Sequence, residues 1–181
     1  MGGNAELEEG TAFKLDYTKL DKVASKKCDV VPVVVQDSRT GSVLIAAYVN
    51  EKALAETFKQ KVVCLWSTSR NELWVKGLTS GDTLDLDEVR VNCEQNSLLF
   101  LCTPRRKGAC HTKDANGESR ISCYYRRVMQ GADGNLLLAH AEGPSHRIKN
   151  GGGGVSLATA SMMAAAAAAI AASLTAAALR K

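Results

Sequence analysis

The sequence predicts an α+β fold, with one strand-rich domain that contains one or two helices. Short runs of β-branched or alternating apolar residues recur between residues 30 and 129, and residues that favour turns separate them. One segment between two of these runs has helical periodicity instead. The chain has 181 residues, which is enough for one domain with tails.

A β-hairpin followed by a helix is predicted near the start of the domain. Residues 30–37 (VVPVVVQD) and 41–49 (GSVLIAAYV) are apolar runs, and a short turn containing Ser, Arg, Thr and Gly joins them. Asn50 is a favourable N-cap residue, which predicts a helix over NEKALAETFKQ. Four residues of this segment fall on one helical face: Ala53, Leu54, Thr57 and Phe58.

The remaining strands are predicted from alternation and from apolar runs. Residues 84–91 alternate apolar and charged side chains, which predicts a half-buried strand with one slip in register near Asp87 and Glu88. Residues 104–120 are polar and typical of turns. Further strands are expected at residues 61–68, 72–77, 97–103 and 123–129. The strand at 123–129 is expected to be the last one in the chain.

Two segments lie outside the predicted domain. Residues 1–12 are expected to be a flexible N-terminus, and the domain is expected to cover residues 13–148. Residues 149–181 join a glycine linker to an alanine-rich tract of low complexity. We interpret the tract as a helical or disordered tail, because it has few of the Leu, Ile and Phe residues that favour membrane insertion. Its length would allow a membrane span, so a tail anchor is the alternative.

Charge and cysteine content limit the classes of function. The formal net charge is +4 and the basic residues do not form one block, so no nucleic-acid partner is expected. The polar, acidic N-terminus does not look like a secretory signal, and we expect a cytoplasmic protein, with an organelle or a tail-anchored location left open. In a reducing compartment the six cysteines favour buried thiols or metal ligands over disulfides.

Three cysteines are candidate zinc ligands: Cys93, Cys110 and Cys123. They lie in polar surroundings, whereas Cys64 and Cys102 lie in apolar runs and are expected in buried strands. Three thiolates would leave the fourth position of zinc open to water, as in catalytic zinc sites. The spacing matches no common zinc finger, so ordinary thiols without a metal are the alternative.

A histidine and a hydroxyl-rich string are further candidates. His111 directly follows Cys110 and is a candidate general acid or base near neutral pH. Residues 66–82 (WSTSRNELWVKGLTSGD) combine hydroxyls, an arginine and glycine amides, as a phosphate or ribose pocket requires. Trp74 would either stack on a purine or pack in the core. The candidate substrate-binding residues are Ser67, Ser69, Arg70, Trp74, Lys76, Thr79 and Ser80.

Residues 20–126 resemble the phosphoribosyl-AMP cyclohydrolase family. The resemblance rests on five strings in the family's order: VVPVVVQDSRTGSVLIAAYVNEKALAET, WSTSRNELWVKGLTSGD, NC, ACHT and SCYYR. It implies the fold of that family, an obligate homodimer, and hydrolytic opening of the adenine ring between N1 and C6 of phosphoribosyl-AMP in histidine biosynthesis. The implied partner is therefore a phosphorylated purine nucleotide.

The resemblance also implies roles for the candidate site residues. Cys93, Cys110 and Cys123 fall on the family's zinc-binding motifs, and the ligands are expected to come from both chains of the dimer. His111 falls on the position of a candidate acid or base. The cofactor implied by this motif set is Zn²⁺.

The chain departs from the family at the positions associated with magnesium. The family carries Asp-Cys-Asp-x-Asp around its first zinc cysteine, whereas Asn92, Glu94 and Asn96 occupy those acidic positions here. Mg²⁺ favours charged oxygen ligands, so we expect it to bind weakly at this place. Asp85 and Asp87 are nearby in sequence and are alternative carboxylates.

Three hypotheses about function follow. The first is a working zinc cyclohydrolase that needs less magnesium or uses other carboxylates. The second is a non-catalytic relative that keeps zinc for stability and acts as a binding or assembly subunit. The third is a hydrolase or deaminase of a related purine nucleotide. His111 and the hydroxyl-rich string favour catalysis, and the missing aspartates favour the second hypothesis.

Overall fold

The computed structural model describes residues 5–141, in which three helices and eight strands are formed. The helices are α1 (Ala5–Glu9), α2 (Lys19–Ser25) and α3 (Glu51–Gln60). The strands are β1 (Val31–Asp37), β2 (Val43–Val49), β3 (Cys64–Ser67), β4 (Glu72–Val75), β5 (Leu84–Val91), β6 (Leu98–Pro104), β7 (Arg126–Gln130) and β8 (Leu136–His140). The predicted α+β class and its excess of strands are confirmed, but the expected number of helices is wrong, since α1 and α2 carry little apolar periodicity.

The central sheet has four strands in the order β2-β1-β6-β5. β1 and β2 pair antiparallel, which confirms the predicted hairpin, and β1 pairs parallel with β6. β5 pairs antiparallel with β6, and the register shifts between Leu86 and Glu88. Asp87 is therefore the extra residue of a β-bulge, which confirms the predicted slip in that strand. The pairs β3-β4 and β7-β8 form two small separate sheets.

Helix α3 begins at the predicted N-cap. The side-chain oxygen of Asn50 accepts a hydrogen bond from the amide of Ala53 at 2.9 Å. Ala53 and Thr57 are fully buried, but Phe58 remains 48% exposed, so the buried face is narrower than predicted. Thr57 Oγ1 accepts a hydrogen bond from the amide of Cys64 at 3.1 Å, which ties the helix to β3.

The hydrophobic core draws side chains from the central sheet, α3 and β3. Cys64 and Cys102 are fully buried, as their apolar surroundings predict. Ala109 belongs to the core although it lies in the loop after β6, and it therefore anchors the segment that carries Cys110. The fully enclosed cluster consists of Val33, Val35, Leu44, Val49, Ala53, Val63, Leu65, Leu84, Phe100, Cys102 and Ala109.

The end of the described chain differs from the sequence prediction. The strand expected over 123–129 begins only at Arg126, and it is not the last, because β8 follows and pairs with it antiparallel. Residues 122–123 instead attach to β2, where the amide of Cys123 donates to the carbonyl of Leu44 at 2.8 Å. The turn between β7 and β8 contains Asp133-Gly134, a dipeptide that favours turns, which the sequence analysis did not use to predict β8.

The N-terminal segment contacts the rest of the chain. The amide of Leu138 donates to the carbonyl of Thr11 at 2.9 Å, and Ala12 forms a bridge to Leu137. Whether residues 1–12 are flexible in solution stays a prediction. Residues 142–148 and the linker and tail at 149–181 lie outside the described residues, so the expected domain boundary and tail also stay predictions. Within residues 5–141, no helix combines the length and apolar content that crossing a membrane requires.

Candidate active site

Residues of the hydroxyl-rich string and the candidate histidine, His111, line the same cavity. Its volume is about 880 Å³, and His111 and Glu8 lie on its wall beside the β3-β4 hairpin and the turn that follows. All of the candidate substrate-binding residues line it, namely Ser67, Ser69, Arg70, Trp74, Lys76, Thr79 and Ser80. The structure therefore brings these side chains together, while their contact with a substrate stays a prediction.

Two tight turns place the hydroxyls of this cavity. Asn71 adopts a left-handed conformation (φ 56°) between β3 and β4, which asparagine tolerates, and its amide donates to the carbonyl of Ser67 at 2.7 Å. Gly77 also has a positive φ of 80°, and a Cβ there would lie 2.0 Å from the carbonyl oxygen of Asp82. Only glycine fits that turn, which carries Thr79 and Ser80.

The two cations of the cavity differ in their surroundings. Arg70 Nε lies 2.5 Å from Glu72 Oε1 in a partly exposed ion pair. Lys76 is only 5% exposed, and its Nζ donates a hydrogen bond to the carbonyl of Ala109 and lies 5.8 Å from the centre of the Trp74 ring. The charge of Lys76 is thus held against the loop that carries Cys110. Trp74 is half-buried against the core and also lines the cavity, so the two interpretations of this residue are compatible.

Cys110 is buried and Cys123 is partly buried, and a hydrogen bond joins their side chains. The amide of Cys110 donates to the carbonyl of Arg120 at 2.9 Å, and this contact folds the loop back on itself. Ser122 is fully buried, and its hydroxyl donates to the carbonyl of Val43 at 2.7 Å, which fixes the position of its neighbour Cys123. Ser122 carried no recognisable signal in the sequence, because its role depends on a distant strand.

The pair shares one proton. The hydrogen bond from the Cys123 thiol lowers the pKa of Cys110 to about 5, with help from Thr112 and His111 and against the effect of burial. The same hydrogen bond raises the pKa of Cys123, and burial and the negative charge of Cys110 raise it further. The pair therefore carries one negative charge near neutral pH. Because the thiolate is the form that binds metal, Cys110 is ready to bind a zinc ion, and Cys123 fits the same ion once it releases its proton.

Cys93 lies far from this pair within the chain. It is exposed in the turn between β5 and β6, whereas Cys110 follows the other end of β6. β6 has seven residues, and a strand rises by about 3.3 Å per residue, which separates its two ends by about 20 Å. Within residues 5–141 no group of three or more His, Cys, Asp or Glu side chains is placed to hold a metal ion. One chain alone therefore assembles two of the three candidate zinc ligands.

The three residues at the positions associated with magnesium, Asn92, Glu94 and Asn96, lie close together, but their side chains form hydrogen bonds with one another. Asn92 Oδ1 accepts from the amides of Asn96 and Ser97, at 3.0 and 2.9 Å. Asn92 Nδ2 donates to Asn96 Oδ1 at 2.7 Å, and Asn96 Nδ2 donates to Glu94 Oε2 at 2.9 Å. Amide hydrogens thus occupy the space between the oxygens. A set with one carboxylate and two engaged amides does not fit Mg²⁺.

The alternative carboxylates, Asp85 and Asp87, bind side chains that lie away from the turn around Cys93. Asp85 accepts from Arg105 at 2.7 Å, and Asp87 Oδ2 accepts from the hydroxyls of Ser38 and Thr103 at 2.5 and 2.9 Å. Both lie in the first half of β5, whereas Asn92 follows its last residue. Within this chain they therefore do not complete the turn around Cys93.

His111 has a partner that the sequence did not reveal. Its side chain is 73% exposed, and Nε2 lies 2.8 Å from Oε1 of Glu8 in α1. The two residues are 103 positions apart, and the acidic segment around Glu8 contains no motif that points to this contact.

A hydrogen-bonded thiol pair, an exposed histidine and a cavity rich in hydroxyls together define a candidate metal-assisted enzyme site. A sequence profile of the family described as "Phosphoribosyl-AMP cyclohydrolase" matches residues 45–125. The matched range contains every predicted site residue, from Ser67 to Cys123, but neither Glu8 nor α2.

Curated relatives carry the same description. The protein named "Phosphoribosyl-AMP cyclohydrolase" from Chloroherpeton thalassium is 37% identical over 114 residues, which are 63% of this chain and 76% of that protein. Its namesake from Chlorobium chlorochromatii is 38% identical over 122 residues, with coverage of 67% and 80%. The one from Hyphomonas neptunium is 42% identical over 102 residues, with coverage of 56% and 72%. The chain belongs to the phosphoribosyl-AMP cyclohydrolase family, whose enzymes are hydrolases that act on a cyclic amidine.

Proposed function

We propose that this protein is a working zinc-dependent phosphoribosyl-AMP cyclohydrolase of histidine biosynthesis, which adds water across the N1–C6 bond of the adenine ring. The observation that carries the proposal is the shared cavity, in which the candidate substrate-binding residues meet His111 beside the Cys110–Cys123 pair. A structural subunit has no physical need for this combination of groups.

The cavity wall suits a phosphorylated purine nucleotide. Ser67, Ser69, Thr79 and Ser80 supply hydroxyl donors for phosphate and ribose oxygens. The Trp74 ring offers a flat face on which a purine can stack. Arg70 and Lys76 add positive charge to the same wall, which also carries the carboxylate of Glu72. Substitution at N1 leaves the purine ring cationic, so its C6 is already electrophilic.

Zinc would be held by Cys110 and Cys123 of one protomer together with Cys93 of the partner subunit. When bound, the ion supplies a Lewis acid that lowers the pKa of water towards neutrality. His111 takes a proton from the attacking water and returns one to N1 as the N1–C6 bond breaks. Water is thereby added across that bond with no other reactant.

The separation of the cysteines supports the proposed homodimer. Cys93 lies at one end of β6 and the thiol pair beyond the other end, so a single chain would leave the proposed metal site incomplete. A two-fold symmetric dimer would place each Cys93 against the pair of its neighbour and would create two equivalent sites.

A direct assay tests the proposed function. Purified protein is incubated with phosphoribosyl-AMP, the ultraviolet change on ring opening is followed, and bound zinc is measured in parallel. We expect turnover that Cys110→Ser and His111→Ala abolish, and zinc that Cys110→Ser removes but His111→Ala leaves in place. A Cys93→Ser protein that keeps both zinc and activity would show that the ligand assignment is wrong.

The same experiment decides between the remaining hypotheses. The engaged amides of Asn92 and Asn96 favour a zinc-stabilised binding or assembly subunit. Bound zinc without turnover at any magnesium concentration would support that function. Release of ammonia from an adenine nucleotide, without ring opening, would instead identify a purine deaminase.

A further inference from the structure

The segment formed by residues 7–10 is fastened to the loop that carries the candidate site. The hydroxyl of Tyr125 donates to the carbonyl of Glu8 at 2.7 Å. The guanidinium of Arg126 donates to the carbonyls of Leu7 and Gly10, at 2.8 and 3.0 Å. These contacts join backbone carbonyls to side chains more than one hundred positions away. They hold the segment in a defined place beside the cavity.

A second, independent pair fixes the same segment. Arg120 Nη1 and Nη2 lie 2.7 and 3.2 Å from the two carboxylate oxygens of Glu9, and the side chain of Arg120 is only 12% exposed. A bidentate ion pair of this kind fixes the orientation of the two side chains as well as the distance between them. Glu9 thus points towards Arg120, which leaves the neighbouring Glu8 pointing towards the cavity.

Glu8 is the residue through which the segment reaches the site. Its side chain is 28% exposed, it lies on the cavity wall, and its Oε1 is 2.8 Å from His111 Nε2. The imidazole itself is 73% exposed, so packing restrains it little. The hydrogen bond to Glu8 therefore has a large effect on where the ring points.

We infer that Glu8 is a positioning residue for His111, which fixes the orientation and the tautomer of the imidazole. An ionised carboxylate only accepts hydrogen bonds, so the hydrogen of the neutral ring lies on Nε2. Nδ1 then keeps its lone pair and is the atom that takes and returns the proton. This inference rests on the proposed function of His111, and it assigns a role to a residue outside the matched range 45–125.

Kinetics separate a positioning role from a merely structural one. Hydrogen-bond partners that orient metal-ligating histidines typically affect metal affinity or activity by about tenfold to a hundredfold, and we expect an effect of the same order for a histidine that moves a proton. We expect Glu8→Ala and Glu8→Gln to lower kcat by an amount in this range with little change in KM. Glu8→Asp should fall between them and the wild type. Glu56→Gln on α3 is the matched control, because it makes the same chemical change in a carboxylate that contacts Gln60 and Lys59.

A double-mutant cycle tests whether Glu8 acts through His111. In a His111→Ala background, Glu8→Gln should change the residual rate by less than about twofold, since the group that it positions is gone. An equal loss in both backgrounds would overturn the inference. So would wild-type rates in Glu8→Ala and Glu8→Gln, or a rise in KM with unchanged kcat, which would make Glu8 part of the cavity wall only.

A spectroscopic measurement is independent of turnover. In ¹⁵N-histidine-labelled protein, the His111 ring, assigned by its loss in His111→Ala, should show the Nε2–H tautomer. Glu8→Ala should convert it to a mixture of tautomers. A mixture already present in the wild type would overturn the inference. The wild-type protein could show the pure Nε2–H tautomer and yet fail to open the adenine ring of phosphoribosyl-AMP. That result would refute the proposed function but would still support the orientation of His111 by Glu8.

Discussion

Cys110 and Cys123, whose thiols share one proton, are the most unusual pair of side chains in the described part of the chain. Cys110 is held as a thiolate by the hydrogen bond from Cys123, and Lys76 places a buried positive charge against the same loop. The charge of Lys76 also favours a negative charge on Cys123, although less than the other contacts of that thiol oppose it. This arrangement keeps one thiolate, that of Cys110, ready for zinc at neutral pH, and Cys123 would lose its proton as the ion binds.

The ionisation of this pair gives a prediction for the zinc-free protein. One thiol should ionise with a midpoint of about 5, which the ultraviolet absorbance of the thiolate reports. Cys123→Ala removes the donated hydrogen bond, so the midpoint should rise towards the ordinary cysteine value of about 8.5. Cys28→Ala, a thiol outside the pair, serves as the control and should leave the low midpoint unchanged. A first midpoint near the ordinary value in the wild type would contradict the shared proton.

The same shifts predict how stability depends on pH. The lowered pKa of Cys110 contributes stability that is complete above the ordinary thiol pKa and is lost as the pH falls through about 5. The raised pKa of Cys123 contributes stability that is lost as the pH rises above the ordinary value. The zinc-free wild type should therefore gain stability between pH about 5 and about 8.5 and lose it above, relative to a Cys110→Ala/Cys123→Ala protein. Urea unfolding across this range measures the difference.

At the scale of the element, the loop between β6 and β7 depends on one close approach. A Cβ at Gly108 would lie 2.2 Å from the carbonyl oxygen of Ser119. The amides of Ala109 and Cys110 both donate to the carbonyl of Arg120. The two arms of the loop, residues 108–110 and 119–121, are therefore in direct backbone contact. This contact places Cys110 next to Cys123.

Gly108→Ala should separate these arms. Because the clash is with backbone, the loop has to move, and we expect loss of zinc binding together with a lower melting temperature. Gly117→Ala is the control: its φ of 77° makes alanine unfavourable, but nothing lies within 4 Å of the added Cβ. It should cost about 1 kcal/mol of stability and leave zinc in place. Full zinc content in Gly108→Ala would show that the loop tolerates the displacement.

The turn between β5 and β6 is stabilised by its own side chains. Asn92, Glu94 and Asn96 are linked by direct hydrogen bonds, so the turn that presents Cys93 is held without a bound ion. The amides that weaken a magnesium site are the same groups that close the turn.

Magnesium should therefore have little effect on the wild type. We expect its melting temperature and turnover to be insensitive to added Mg²⁺, whereas Asn92→Asp/Asn96→Asp should be stabilised by it, because the variant gains two carboxylates that a cation can link. Asn116→Asp, in an exposed turn of another loop, should show no such response. A strict magnesium requirement of the wild-type enzyme would contradict this prediction.

At the scale of the whole molecule, the proposed metal site needs two chains. A Cys93→Ser protomer keeps the pair of Cys110 and Cys123, and a Cys110→Ser protomer keeps Cys93. Each homodimer is then defective at both of its sites, but a mixed dimer has one site with all three thiols. This geometry makes complementation possible only if the site is shared.

Mixing the two variants in equal amounts should restore activity and bound zinc. Random reassortment of protomers gives about one quarter of the wild-type level, because about half of the dimers are mixed and each has one complete site. Cys93→Ser mixed with Cys93→Ser/Cys110→Ser should restore nothing. No recovery in the first mixture, after exchange of subunits has been verified, would refute a shared site.

Local patterns in the sequence were sufficient for the parts of the fold that local interactions specify. The turn of the β1-β2 hairpin and the Asn50 cap depend on neighbours within a few positions, and the bulge at Asp87 coincides with a break in the alternation of β5. Helices α1 and α2 were missed because they are short and weakly amphipathic, and such helices are stabilised mainly by tertiary contacts.

The sequence by itself determined the class of the fold, the family and the set of chemical groups, because alternation, turn residues and motif strings are written in consecutive positions. Only the tertiary structure decided that the hydroxyls and His111 face one cavity, that Cys110 meets Cys123 while Cys93 lies at the opposite end of β6, and that Glu8 reaches His111. These contacts join residues far apart in the chain, and their geometry depends on how the whole core packs rather than on any local pattern.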